Sequence, residues 1–391
     1  MQEPIHKRTQ KQLFALLAIL VSHTAHSSEL TVEELRIDKA TQVMPKVMQV
    51  FDRQLTAFTE AFETSAGFEQ SRDVVITQGE QLWRDAKQQI RLTNSFDDRP
   101  LFWARLKYSK TLRTVKPGYE VSPTELDSLL GLLEQSSRGR TELSYPATAD
   151  KRLLLTGFDP FLLDRHIDQS NPSGVAAMLL DGKVIEHNGI TAQINAVMVP
   201  VRYADFDQGI IERLLAPFYA LNSVDLIATI SMGRTEFDLE HFPGKRRSAA
   251  APDNLNVFSG GTNEAPLISL LNGAPLPGPE FVQFSLPYAT MQQAKGGYKI
   301  NDNRRVVTLQ KPMTASSLHA LAQSIAVSGS GGGYLSNEIS YRSIRLKNQL
   351  NSSIPTGHIH TPRIAQFDPK TVAAIVTQIE AMLRQALSAL D

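Results

Sequence analysis

The chain has 391 residues, 42% hydrophobic and 20% charged, with 40 basic residues balanced by 40 acidic ones and no cysteine. This composition is ordinary for a folded protein and leaves no net field favouring nucleic acid or an anionic membrane surface. The absence of cysteine excludes disulfides, thiolate metal sites and a cysteine nucleophile, and it suits an oxidising compartment.

The N-terminus carries His6, Lys7, Arg8 and Lys11, then the apolar run 13–21, then the small-residue pattern Ala25-His26-Ser27. This order predicts a signal peptide over 1–27 and export, in a bacterium to the periplasm. The apolar run is too short for the ~20-residue helix that crosses a bilayer. A partly buried N-terminal helix is the plainer alternative.

Residues 28–143 read as helical. Val43-Met44-Pro45 interrupts one stretch, and apolar residues recur at three- and four-residue spacing over 78–92 and 101–114. Pro123-Thr124-Glu125 opens a helix with Leu126, Leu129, Leu130, Leu132 and Leu133 giving an apolar face. No catalytic constellation occurs here, which leaves a helical cap, a packing extension or an oligomerisation arm. Residues 144–150, rich in proline and small polar residues, form the expected linker.

From 151 to 391 the texture changes. Arg152-Leu153-Leu154-Leu155-Thr156-Gly157, residues 194–199 and residues 224–230 read as buried strands, and 323–327 as a further one. Helical stretches fall over 174–181, 208–221 and 369–390. Alternating strands and helices predict an α/β layer with a mainly parallel sheet, whose chemistry collects in loops beyond the strand ends.

Four segments there carry candidate chemistry. Phe158 and Phe161, in Thr156-Gly157-Phe158-Asp159-Pro160-Phe161, could wall a flat apolar pocket, with Asn171 fixing a ligand's polar edge. Read alone, such aromatics also suit a core. Glu240, after Ser231-Met232-Gly233-Arg234, could orient a histidine or serve only as a loop acid. Ser336 ends the glycine-rich run 328–335 at a probable helix start, where backbone N–H groups and the helix dipole suit an oxyanion. The alternatives are a flexible loop and a simple helix cap. Finally, in Gly357-His358-Ile359-His360-Thr361-Pro362, a strand would turn His358 and His360 to one face. One could be a general base, or both could bind a metal with His241 or Glu240.

Taken in order, these segments resemble type I pyroglutamyl peptidase (pyrrolidone-carboxylate peptidase). The shared features are Thr-Gly-Phe-Asp-Pro-Phe, Asn171-Pro172, Gly233-Arg234, Pro252-Asp253-Asn254, Leu286-Pro287, the Ser-x-Ser-x-Gly-x-Tyr-Leu run into Ser336-Asn337, and His360 before Pro362. The resemblance runs from about Lys151 to the C-terminus. It implies a three-layer α/β/α fold, removal of N-terminal pyroglutamyl residues from small peptides, no cofactor, no metal and assembly as a homo-oligomer. By position it implies a triad of Ser336, His360 and Glu240, with Phe158, Phe161 and Asn171 lining the pyroglutamate pocket. Three departures stand out: Ser336 replaces the family's cysteine, Ala250 falls where the family has an oxyanion-assisting arginine, and Thr229 and Ser231 replace a glycine and a glutamine. Arg246 or Arg247 is a candidate substitute for that arginine. A ligand-binding protein without turnover is the alternative function.

Overall fold

The computed structural model describes residues 29–145 and 149–390; the signal peptide expected over 1–27 and part of the linker lie outside them. The first described stretch is helical: α1 Val32–Leu35, α2 Ile37–Val43, α3 Pro45–Met48, α4 Asp52–Glu63, α5 Phe68–Thr93, α6 Arg99–Thr114 and α7 Pro123–Ser136. Proline without an N–H starts a helix more readily than it continues one, so the chain breaks at Met44 and restarts at Pro45. At Ser122 a capping box closes the start of α7: Glu125 N donates to Ser122 Oγ at 3.3 Å, and Ser122 N donates to Glu125 Oε2 at 2.8 Å. One face of α5 buries Val75, Leu82, Trp83, Ala86 and Ile90 at helical spacing.

The second stretch is an α/β layer. Its strands are β1 Lys151–Phe158, β2 Val184–His187, β3 Ile190–Val199, β4 Leu226–Met232, β5 Phe237–Glu240, β6 Ile300–Asn303, β7 Arg305–Thr308, β8 Pro312–Thr314, β9 Ala326–Ser328 and β10 Thr356–Thr361. The main helices are α8 Pro172–Leu180, α9 Tyr203–Asp207, α10 Ile210–Leu221, α11 Leu335–Gln349 and α12 Pro369–Leu387. Seven strands form one sheet in the order β6-β5-β10-β4-β1-β3-β2. Parallel ladders join β1 to β3 and β4, β4 to β10, and β5 to β6; the β5–β10 and β2–β3 ladders are antiparallel.

Successive side chains on a strand face opposite sides, and this alternation builds the layers. Leu153 and Leu155 of β1 pack with α8 and α12 on one side, while Leu154 packs with α10 and α11 on the other. Full burial of such a side chain contributes roughly 1.5–3 kcal/mol relative to exposure. The N-terminal helices join the first of these cores: Val75, Leu82, Trp83 and Leu101 belong to the same buried cluster as Leu153 and Val175. The apolar core is therefore continuous from the helical stretch into the sheet.

The strand expected over 323–327 is shifted and sits elsewhere. Ala326–Ser328 pairs with β7 in a separate three-stranded antiparallel sheet, not in the main layer. Its short apolar run packs with Phe242, Phe281 and Val306, a satellite core too small to mark its sheet of origin in sequence. Among the described residues, no helix is long and apolar enough to cross a membrane.

Candidate active site

The β4–β10 ladder sets His360 opposite Ser231, and the β5–β10 ladder sets His360 opposite Asp238, so Glu240 at the end of β5 comes alongside the imidazole. His360 Nδ1 and Glu240 Oε1 are 2.5 Å apart, and the carboxylate is 1% exposed. Its other oxygen, Oε2, accepts from Asn303 Nδ2 at 3.0 Å, and the same amide donates to the Ser330 carbonyl at 3.0 Å. The carboxylate contact places the imidazole proton on Nδ1 and leaves Nε2 as an acceptor. Asn303 was missed in sequence because it reaches Glu240 across 63 residues and lies in a polar run without a motif.

Ser336 is the second residue of α11, where first-turn N–H groups have no intrahelical partners. The helix N-cap is Tyr334, without a side-chain cap bond, so Ser336 is not the cap. Its hydroxyl donates to the Gly331 carbonyl at 3.3 Å. A Cβ on Gly331 would lie 3.5 Å from His360 Cε1, so this glycine lies against both Ser336 and the imidazole. On the other side of His360, a Cβ on Gly233 would come within 2.7 Å of the histidine's own Cβ. Only glycine lets the 231–234 loop pass this close. Asn337 then ties the segment after Glu240 to the helix: its Oδ1 accepts from Gly244 N at 3.0 Å and its Nδ2 donates to Gly244 O at 2.7 Å.

Beside Ser336 lies a cavity of about 210 Å³ lined by Phe158, Phe161, Asn171, Met232, Tyr334 and neighbours, with no charged side chain among them. Phe158 stacks on Phe206 with centroids 6.2 Å apart, and Tyr334 is fixed by donating to the Pro252 carbonyl at 2.8 Å. Asn171 has a fuller task than sequence suggested. Its Oδ1 accepts from Ser173 N and Oγ at 3.1 and 2.8 Å, and its Nδ2 donates to Asp159 O at 2.9 Å. It caps α8 and holds the Phe158–Phe161 loop while lining the cavity.

Other candidates are placed elsewhere. His358 has both ring nitrogens occupied, by Thr229 Oγ1 at 2.8 Å and Ser231 Oγ at 2.7 Å. Burial, with His360 beside it, holds His358 well below the usual histidine range, so it stays neutral. Thr229 and Ser231, together the third of the sequence departures, are thus its hydrogen-bond partners. His241 pairs with Asp302 at 2.7 Å, away from the His360–Glu240 contact. Neither Arg246 nor Arg247 substitutes for the arginine expected at Ala250. The partly exposed Arg246 is held by Glu280 at 2.9 Å, and the buried Arg247 by Glu338 at 2.6 Å and Asp207 at 2.7 Å, the carboxylate partners a buried guanidinium requires.

The N-terminal helices grip the cavity's loops from behind. Asp159, fully buried between Phe158 and Phe161, accepts from Arg105 Nη1 at 3.0 Å and Arg138 Nη1 at 2.7 Å. Arg36 donates to the backbone of Asn254, whose own side chain donates to Pro160 O at 2.9 Å. Asp98 accepts from Ser170 Oγ at 2.7 Å and Asn171 N at 3.1 Å. Burial pushes Asp98 up to about 8 despite these donors. A carboxyl raised from its unfolded value binds its proton in the folded state, so it costs stability as pH rises from about 4 to about 8. Relative to Asp98→Asn, the natural protein is therefore expected to lose roughly 1.4 kcal/mol per pH unit between pH 5 and 7. Denaturant titrations of both proteins at three pH values check this; a constant difference would contradict it.

A family model described as the PA0049 N-terminal domain matches residues 18–134, and one described as the PA0049 C-terminal domain matches residues 152–284 and 281–365. Protein PA0049 of Pseudomonas aeruginosa is 26% identical over 381 residues, covering 74% of this chain and 69% of that protein. Among solved structures, a single-substitution mutant of pyrrolidone carboxyl peptidase from Pyrococcus furiosus has 19% identity and a TM-score of 0.42, covering 61% of this chain and 100% of that one. Another structure of that peptidase has 18% identity and a TM-score of 0.42, with the same coverage.

Proposed function

The chain belongs to the family of the PA0049 C-terminal domain, and from its site geometry we propose a serine hydrolase that removes small, uncharged N-terminal acyl groups, pyroglutamyl above all, from peptides. The observation that carries this reading is the buried 2.5 Å contact between Glu240 and His360, with Ser336 lining an uncharged cavity and Gly331 lying against both the serine and the imidazole. The Ser336 hydroxyl swings from the Gly331 carbonyl to His360 Nε2 and attacks the scissile amide carbon, its proton passing to Nε2. First-turn N–H groups of α11 face the developing oxyanion. His360 then protonates the leaving nitrogen, the C–N bond breaks, and a pyroglutamyl ester remains on Ser336. Water, deprotonated by the same imidazole, hydrolyses that ester and restores the hydroxyl. The flat lactam suits the Phe158–Phe161–Tyr334 walls, and an acyl group bearing a charge would be desolvated there without a partner.

The N-terminal pattern of residues 1–27 supports action outside the cytoplasm. A second reading, ligand binding without turnover, is favoured by Ala250 and by the carboxylate partners of Arg246 and Arg247. One experiment separates the two. The full chain is expected to release a fluorescent amine from a pyroglutamyl amide and to spare acetyl-glutamyl and acetyl-phenylalanyl amides. Binding of the pyroglutamyl amide without release supports the second reading, and neither binding nor release removes both.

A further inference from the structure

The uncharged cavity ends at Gly233 and Ser336; the next residue along the first loop, Arg234, opens a second cleft of about 370 Å³. Its other walls are Arg305, Met313, Thr314 and the Ser328–Ser330 segment, together with Asn303. It adjoins the triad through two contacts: Asn303 holds Glu240 at 3.0 Å, and Ser330 is bound to the same amide at 3.0 Å. Gly331, directly after Ser330, receives the Ser336 hydroxyl. Ser336 thus lines the first hollow, and the Gly331 carbonyl that receives its hydroxyl directly follows the Ser328–Ser330 wall of the second.

Their chemistry is opposite. The first cavity has no charged lining residue, whereas the second has two arginines and no carboxylate. Both arginines are exposed, and neither forms a salt bridge among the described residues. Two acids on the elements bordering the cleft are already paired, Asp302 with Arg304 and His241, and Glu240 with His360. Arg234 follows the end of β4, whose ladder pairs Ser231 with His360, and Arg305 opens β7 two residues beyond Asn303, so both bases adjoin residues that position the triad. Guanidinium groups match carboxylates geometrically, and an open cleft of one sign raises the local concentration of its counter-ion.

We propose that this cleft is the leaving-group subsite and that Arg234 and Arg305 select peptides with a carboxylate just after the scissile bond. The inference rests on the acyl-transfer reading and narrows its substrate class to neutral-blocked, acidic peptides. The carboxylate can be an acidic side chain or a free C-terminus, and three probes distinguish these sources: pyroglutamyl-alanine amide, pyroglutamyl-alanine, and pyroglutamyl-glutamate with its α-carboxyl amidated.

The test measures KM for the three probes on the natural chain and on Arg234→Gln/Arg305→Gln, at low and high salt. KM is expected to be roughly three- to tenfold lower for one or both carboxylate probes than for the neutral amide, as for exposed ion pairs. This ratio should fall to about one in the double variant and shrink in 0.5 M salt. Binding of the same probes to Ser336→Ala, read by calorimetry, keeps the subsite testable without turnover. Equal affinity for all three probes with normal hydrolysis would overturn the subsite and leave the acyl-transfer reading intact. Arginine-dependent preference in binding, with no hydrolysis by the natural chain, would overturn acyl transfer and retain the carboxylate site. Neither preference nor hydrolysis overturns both.

Discussion

Glu240→Gln is expected to lower kcat on a pyroglutamyl amide by roughly four orders of magnitude with little change in KM, as when a triad carboxylate becomes an amide. The glutamine would keep the shape of the buried side chain, but its amide nitrogen could donate to His360 Nδ1. That bond fixes the opposite tautomer, with the proton on Nε2, and His360 can no longer accept the Ser336 proton. The carboxylate is 1% exposed, so bulk solvent does not screen the contact it makes. Steady-state kinetics, with a melting curve to show the fold intact, read the result. A loss below tenfold would mean that the 2.5 Å contact is structural alone.

Asp159→Ala is expected to cost roughly 3–5 kcal/mol of stability, because breaking one side of a buried ion pair leaves an uncompensated charge. Arg138 would still have Glu134 at 2.7 Å, whereas Arg105 would lose its only side-chain hydrogen-bond acceptor among the described residues. Burial, reinforced by Arg138, already pulls the Arg105 guanidinium below the usual arginine range, so its charge is poorly supported even with Asp159 present. Removing both members, as in Arg105→Leu/Asp159→Leu, should cost less than the sum of the single changes. The double-mutant cycle on denaturant midpoints measures that coupling. Additive effects would show that the two side chains are near each other without depending on each other. Because Asp159 lies between Phe158 and Phe161, its loss should also raise KM for the pyroglutamyl amide.

The strands that were legible in the sequence are those whose burial on both faces leaves a continuous apolar run, such as Leu153-Leu154-Leu155 in β1. Pro123 and the leucines after it exposed the start of α7, and helical spacing exposed α5 and α6. β5 and β6 were not legible: Phe-Asp-Leu-Glu and Ile-Asn-Asp-Asn are short and at least half polar, and what keeps them in the sheet is a ladder to distant strands. The same limit hid Asn303 behind Glu240. It also hid the helical region's grip on the cavity, since Arg105 and Asp159 are 54 residues apart and neither carries a local pattern. Of the candidate site residues, the structure brings His360 and Glu240 into hydrogen-bonding contact and sets Ser336, Phe158, Phe161 and Asn171 around one cavity. Motif order could suggest that grouping, whereas the use of Asn171 as a helix cap required coordinates.

The central claim is that Ser336 is an acyl-transfer nucleophile, and the most direct measurement compares turnover of a pyroglutamyl amide by the natural chain, Ser336→Ala and Ser336→Cys. The account predicts turnover in the natural chain, background in the alanine variant, and activity in the cysteine variant, whose thiolate forms more easily. Undiminished turnover by Ser336→Ala would contradict it and place the chemistry elsewhere on the chain.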